Sequence, residues 1–127
     1  MEIRQDRMYT KEHEWVRLED GVALIGISDH AQEAMGAIVF VELPAEGKQI
    51  ALGATLAVVE SVKAASDVYS PVAGKVVRVN RSLDQTPELL NEAPYEQFIA
   101  ALAPEGGVLP DGLMTADEYA AFVAANG

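Results

Sequence analysis

Lys63 is the only basic residue between Lys48 and Lys75, and it stands in Glu60-Ser61-Val62-Lys63-Ala64-Ala65-Ser66-Asp67. A primary amine isolated from all others suits an enzyme that must acylate one lysine and ignore the rest. An apolar run, Leu56-Ala57-Val58-Val59, precedes it, and a second β-prone stretch from Val68 ends at Ser70-Pro71. A lysine between two strand-like runs is expected at a hairpin tip, ammonium outward. A solvated turn lysine is the simpler reading of any single exposed charge, so the surrounding sequence must decide.

No other set of residues competes for chemistry. There is no cysteine, which excludes disulfides, thiolate metal sites and cysteine nucleophiles. His13 and His30 are distant in sequence, and neither has metal-ligand spacing to another His. Each reads as structural or solvated. The chain lacks a glycine-rich phosphate loop, a nucleophile elbow and a nucleotide fingerprint. The acidic pairs Glu12/Glu14 and Asp117/Glu118 read as solvated faces.

The elements that must position Lys63 can be read from periodicity and turn signals. Trp15–Leu18 and Val22–Ile27 form strands joined at Glu19-Asp20-Gly21. A short helix starts at Asp29, with Gln32 at capping-box spacing and Gly36 to close it. Residues 37–43 form a strand stopped by Pro44. Thr55–Val62 and Ala65–Ser70 flank the lysine, and Gly74–Asn80 is another strand. Thr86 to Leu90 make one helical turn with Pro87 near its start. Phe98–Leu102 is the last strand. Thr115 and Glu118 form a capping box for a final amphipathic helix, about 115–126, with Leu113, Tyr119, Phe122 and Val123 facing inward.

A weak repeat runs at an offset of 38 residues: Gly36, Ile38, Val39 and Val41 match Gly74, Val76, Val77 and Val79, and Ala51-Leu52-Gly53 matches Leu89-Leu90-Asn91. Two such copies would pack as two sheets over a shared core, with the Lys63 hairpin at one end.

At 127 residues and 50% hydrophobic, the chain is sized for one domain, 1–127, with a core of about 14–103. Its net charge is −11, of which residues 82–127 carry −8, with eight acids and no Lys or Arg. Such a field repels nucleic acid and anionic lipid and draws the protein toward basic surfaces. No apolar run has the length of a membrane span. Residues 1–7 mix signs and carry Glu2 and Asp6, unlike a secretory or transit segment. A cytoplasmic location is expected, or the mitochondrial matrix for a processed organellar form.

Taken together, Tyr9–Val16, Ile25–Gln32, Ile38–Pro44, Glu60–Asp67, Ser70–Gly74, Pro87–Asn91 and Leu113–Tyr119 resemble, in order and across nearly the whole chain, the glycine cleavage system H proteins. Glu60-Ser61-Val62-Lys63-Ala64 is the most specific block. The resemblance implies a mostly β fold, a lipoyl/biotinyl-type antiparallel β-sandwich (a barrel-sandwich hybrid) with short helices and a C-terminal helix. It implies lipoate in amide linkage at Lys63, and a carrier with no catalytic residues of its own. The arm would take an aminomethyl group from glycine decarboxylase to aminomethyltransferase, then be reoxidised by dihydrolipoamide dehydrogenase. A lipoate ligase or a lipoyl/octanoyl transferase would attach the cofactor, reading Glu60 and Asp67, three before and four after the lysine. Glu14, His30 and Asp67 match polar positions of a cleft that shelters the loaded arm. A monomer is expected.

The chain departs from that family near its end. Pro94 to Leu102 lacks the Gly-Trp pair and the lysine usual in the last strand, and Phe98 is expected to fill the Trp's volume. A lipoyl relay for another lipoyl-dependent complex is the neighbouring reading, and an unmodified interaction module is a reading from another class. A biotin carrier fits less well because Val62 and Ala64 flank the lysine where biotinyl domains resemble Met-Lys-Met.

Overall fold

In a computed structural model, which describes residues 1–126, the chain folds as two antiparallel sheets with short helices at their margins. One sheet has six strands in the order β1 (Met8–Tyr9), β2 (Glu14–Glu19), β3 (Val22–Ile27), β9 (Ala100–Pro104), β8 (Gly74–Val79) and β5 (Gln49–Ile50). The other has three, β4 (Ile38–Glu42), β6 (Thr55–Ser61) and β7 (Ala65–Tyr69). The fold is the expected mostly β sandwich with an added C-terminal helix, and it is not a closed barrel.

Alternation along the strands explains the packing. Val16, Ile25 and Leu102 point to the core between the sheets. Their neighbours Trp15, Leu24 and Ala101 point to a second apolar cluster on the opposite face. That cluster is completed by Tyr95 and by Tyr119 and Val123 of α4 (Ala116–Asn126). Burial on both faces is why β3 reads Val-Ala-Leu-Ile-Gly-Ile without polar residues. In register, Trp15 lies opposite Gly26, and the indole occupies the space over that glycine, where a Cβ would stand 2.5 Å from Trp15 Cζ2. Trp15 Nε1 donates to the Pro94 carbonyl at 3.0 Å, so the buried ring is satisfied.

The strand part of the repeat is structural. Ile38 and Val41 are buried, as are Val76 and Val79, while Val39 and Val77 are exposed. Each copy also slips register by one residue at the same place, between Ile38 and Phe40 in β4 and between Val76 and Arg78 in β8. These are matching β-bulges that turn one residue outward in each sheet. The remaining matches do not correspond: Leu52 is exposed in a loop, whereas Leu90 is fully buried in α3 (Leu89–Glu92).

Several boundaries differ from the sequence reading. Helix α1 (Asp29–Met35) is capped by Ser28, whose Oγ accepts from Ala31 N–H at 3.2 Å, and Asp29 lies in its first turn. The side chain of Gln32 donates to Asp29 instead of closing a capping box. The last ladder begins at Ala100, because Asn80 side-chain and backbone N–H groups take the Phe98 and Ile99 carbonyls. Two-residue strands β1 and β5 and the four-residue helix α2 (Ser82–Gln85) carry too little periodicity to be read in advance. The capping box of α4 is as expected: Thr115 N–H donates to Glu118 Oε1 at 2.8 Å, and Glu118 N–H to Thr115 Oγ1 at 3.2 Å.

Candidate functional site: the Lys63 hairpin and its cleft

Strands β6 and β7 pair from Thr55↔Tyr69 to Glu60↔Ala65, and Lys63 lies in the turn that joins them. Ser61 shapes that turn. Its N–H donates to the Ala64 carbonyl at 2.9 Å, and its Oγ accepts from the N–H groups of Lys63 and Ala64 at 3.2 and 3.3 Å. The tip is also fastened sideways, by Val62 N–H donating to the Ala37 carbonyl at 3.1 Å.

The ammonium does not point outward as expected. Lys63 Nζ donates to the Ala34 carbonyl in the last turn of α1 at 3.1 Å. The final carbonyls of a helix lack intrahelical partners and form its negative end, so they attract a cation. Gly36, with φ 78°, closes α1 in a conformation reserved for glycine, and a Cβ there would stand 3.5 Å from Lys63 Cε. The lysine stem therefore lies along the α1 terminus while remaining exposed.

Beside the hairpin opens a cleft of about 640 Å³. Lys63, Ala64, Ala65, Ser66 and Asp67 form its hairpin wall, and Glu12, His13, His30 and Ala34 line it from the opposite elements. The volume lies within the range of small-molecule sites. His13 and His30 stack with ring centroids 4.2 Å apart and 24° between planes. His13 Nδ1 is 2.7 Å from the Tyr119 hydroxyl, which is 2.7 Å from Ser28 Oγ. Burial pushes the His13 imidazole below its ordinary pKa, and the neighbouring His30 adds to this, while Glu12 opposes it.

The structure thus brings His30 and Asp67 to the same cleft as Lys63. Glu14 is nearly fully buried, 3% exposed, and faces an adjoining hollow behind Tyr69 and Glu12. Its carboxylate accepts from Thr10 Oγ1 at 2.5 Å and from Tyr69 N–H at 3.0 Å, tying β2 to the end of β7. Burial raises its pKa, against those two hydrogen bonds. Glu60 and Asp67 share the outer face of the three-stranded sheet, because each pairs with a residue flanking the other, Ala65 and Val58.

His13 is the residue that sequence reasoning set aside. Extending the β2–β3 register one step beyond Glu14↔Ile27 places it beside Ser28, where Ser28 N–H donates to the His13 carbonyl at 2.9 Å. Helix α1 then starts at once and returns His30 to the same spot. Phe98 packs, partly buried, against the second cluster with the Arg78 guanidinium 5.3 Å from its ring centroid.

Known proteins resemble this chain along almost its whole length. Similar sequences include glycine cleavage system H proteins of Alcanivorax borkumensis, 53% identical with 96% of both chains covered, and of Coprothermobacter proteolyticus, 51% identical with 97% of this chain and 98% of that one covered. The crystal structure of a glycine cleavage system H protein from Mycobacterium marinum superposes with a TM-score of 0.87 at 34% identity, covering 96% of this chain and 99% of that one. A sequence profile of the glycine cleavage H-protein family matches residues 7–126, and the chain belongs to that family.

Proposed function

We propose that the chain is the lipoyl carrier of the glycine cleavage system, acting as one domain and a monomer, with lipoate held in amide linkage by Lys63. The observation that carries this reading is a single exposed amine at the tip of a braced hairpin, beside an open cleft, in a member of this family. The residues present fit the group: no second lysine lies on the hairpin, and the cleft runs alongside the amine. When bound, the dithiolane would supply an S–S bond that opens as it accepts the two electrons left by decarboxylation of glycine, one sulfur taking the aminomethyl carbon and the other becoming a thiol.

The residues of this chain hold, orient and shelter. Small side chains at Ala64, Ala65 and Ser66 keep the tip slender enough to enter an active site. Glu60 and Asp67 present the amine to a lipoate ligase or a lipoyl/octanoyl transferase. Asp67 and Glu12 give the cleft negative charge suited to a cationic amine, and His30 stacked on His13 closes its wall against water. Glu14 supports this wall from behind Tyr69. The carrier adds proximity and no chemistry: one tether serves glycine decarboxylase, aminomethyltransferase and dihydrolipoamide dehydrogenase at an effective concentration on the order of millimolar. Among the described residues no helix is long and apolar enough to cross a membrane, and a cytoplasmic location, or the mitochondrial matrix for an organellar form, accords with these partners.

Glycine–bicarbonate exchange reconstituted with the other components tests the reading. Lys63→Arg keeps the charge and the reach to the Ala34 carbonyl but cannot be lipoylated. Exchange through the variant is expected to fall to the carrier-free background, and exchange at the wild-type rate would exclude the proposal.

A further inference from the structure

Asn91 lies 28 residues from Lys63 in sequence, on a different element, and does not line the cleft. Its amide is fully engaged with the turn between α1 and β4. Asn91 Nδ2 donates to the Gly36 carbonyl at 2.9 Å and to Gln32 Oε1 at 3.0 Å, and Oδ1 accepts from Ile38 N–H at 2.9 Å. Those three partners bracket Ala37 on both sides. The Ala37 carbonyl in turn receives Val62 N–H at 3.1 Å, one step beyond the Ile38↔Ser61 pair at which the β4–β6 ladder ends. Lys63 then leans on the same turn, through the Ala34 carbonyl and against Gly36.

We infer that Asn91 is a positioning residue for the acylated lysine, fixing the α1–β4 turn so that Ala37 holds the hairpin tip in one orientation. This rests on the reading that Lys63 is the residue lipoylated. Gly36 is a permissive hinge at the centre of the turn, with φ 78°, and its own conformation does not define where the Ala37 carbonyl points. An amide with two donors and one acceptor, all used, does define it. Losing those partners leaves the Gly36 carbonyl and Ile38 N–H unpaired in a part-buried place, and the turn relaxes to regain them from water. The tip then samples several orientations, of which the acylating enzyme accepts a fraction. Its apparent affinity falls by that fraction while the chemical step on the amine is untouched.

The test uses the full chain with Asn91→Ala and Asn91→Asp. Asp preserves the acceptor for Ile38 N–H but turns carboxylate oxygen toward the Gly36 and Gln32 oxygens, so it carries the test should the alanine variant not fold. Amide hydrogen exchange read by NMR is expected to accelerate at Val62 by about tenfold, equivalent to ~1.4 kcal/mol, beyond any factor shared by Val16 and Ile25 in the core. Lipoylation with lipoate ligase, ATP and lipoate is expected to show a several-fold higher KM for the variant carrier at near wild-type kcat. Equal acceleration at Val62 and the core amides, or an unchanged KM, overturns the inference. The exchange measurement needs no cofactor, so a failure of lipoylation in the wild-type chain would count against the carrier reading and not against the brace.

Discussion

The imidazole of His13 stacks on that of His30, 17 residues further along the chain, at a centroid distance of 4.2 Å. His13 adopts a left-handed backbone, φ 71°, at the entry to β2 and anchors to α4 through the Tyr119 hydroxyl. One contact therefore joins the β2–β3 hairpin, α1, α4 and the Lys63 cleft. Burial, with the neighbouring His30, disfavours the charged form of His13, which links the cleft wall to pH.

Folding stability is expected to fall as the solution is acidified through the histidine range. His13 has a folded pKa below its unfolded value of about 6.5. The unfolded chain therefore binds more protons in that window, and the stability present above about pH 6.5 is lost as pH drops through the folded pKa. Urea midpoints from pH 7.5 to 5 measure this. His13→Asn, which tolerates the left-handed backbone, is expected to flatten the slope, and parallel slopes would count against the assignment.

Glu14 has the opposite sign. Its folded pKa lies above the usual value of 4.5, so its contribution is full below that value and is lost as pH rises through the folded pKa. Glu14→Gln can accept from Tyr69 N–H and donate to Thr10 Oγ1, retaining both links. The variant is expected to match or exceed wild-type stability at pH 7 and to lose this pH dependence. If Glu14 also supports the shelter, the loaded arm will release its aminomethyl group faster in the variant. An unchanged lifetime would remove Glu14 from that role.

Gly26→Ala tests the face opposite the main core. The added methyl would stand 2.5 Å from the Trp15 indole, whose ring is buried and pinned to Pro94. Overpacking of this kind typically costs about 1–3 kcal/mol. A lower denaturation midpoint with an altered Trp15 emission is expected, and a midpoint within error of wild type would show that the indole can move.

Much of this was legible in the chain. The strands flanking Lys63 were marked by β-prone runs and bounded by Pro71, and α4 by its capping box. The buried-exposed-exposed-buried order shared by Ile38–Val41 and Val76–Val79 underlies the repeat in the sequence. What sequence could not show was non-local. The Lys63 ammonium turns back because the α1 terminus happens to lie beside it. The two histidines meet only once the hairpin register and the start of α1 are both fixed. Asn91 acts on a turn more than 50 residues before it, through side-chain bonds that no periodicity records.

The most direct measurement is the mass of the intact protein and of its Lys63 peptide after co-production with a lipoylating enzyme and lipoate. One lipoyl-sized increment located on Lys63, absent from Lys63→Arg, is the expected result. No increment, or one placed on Lys11, Lys48 or Lys75, would contradict the account at its centre.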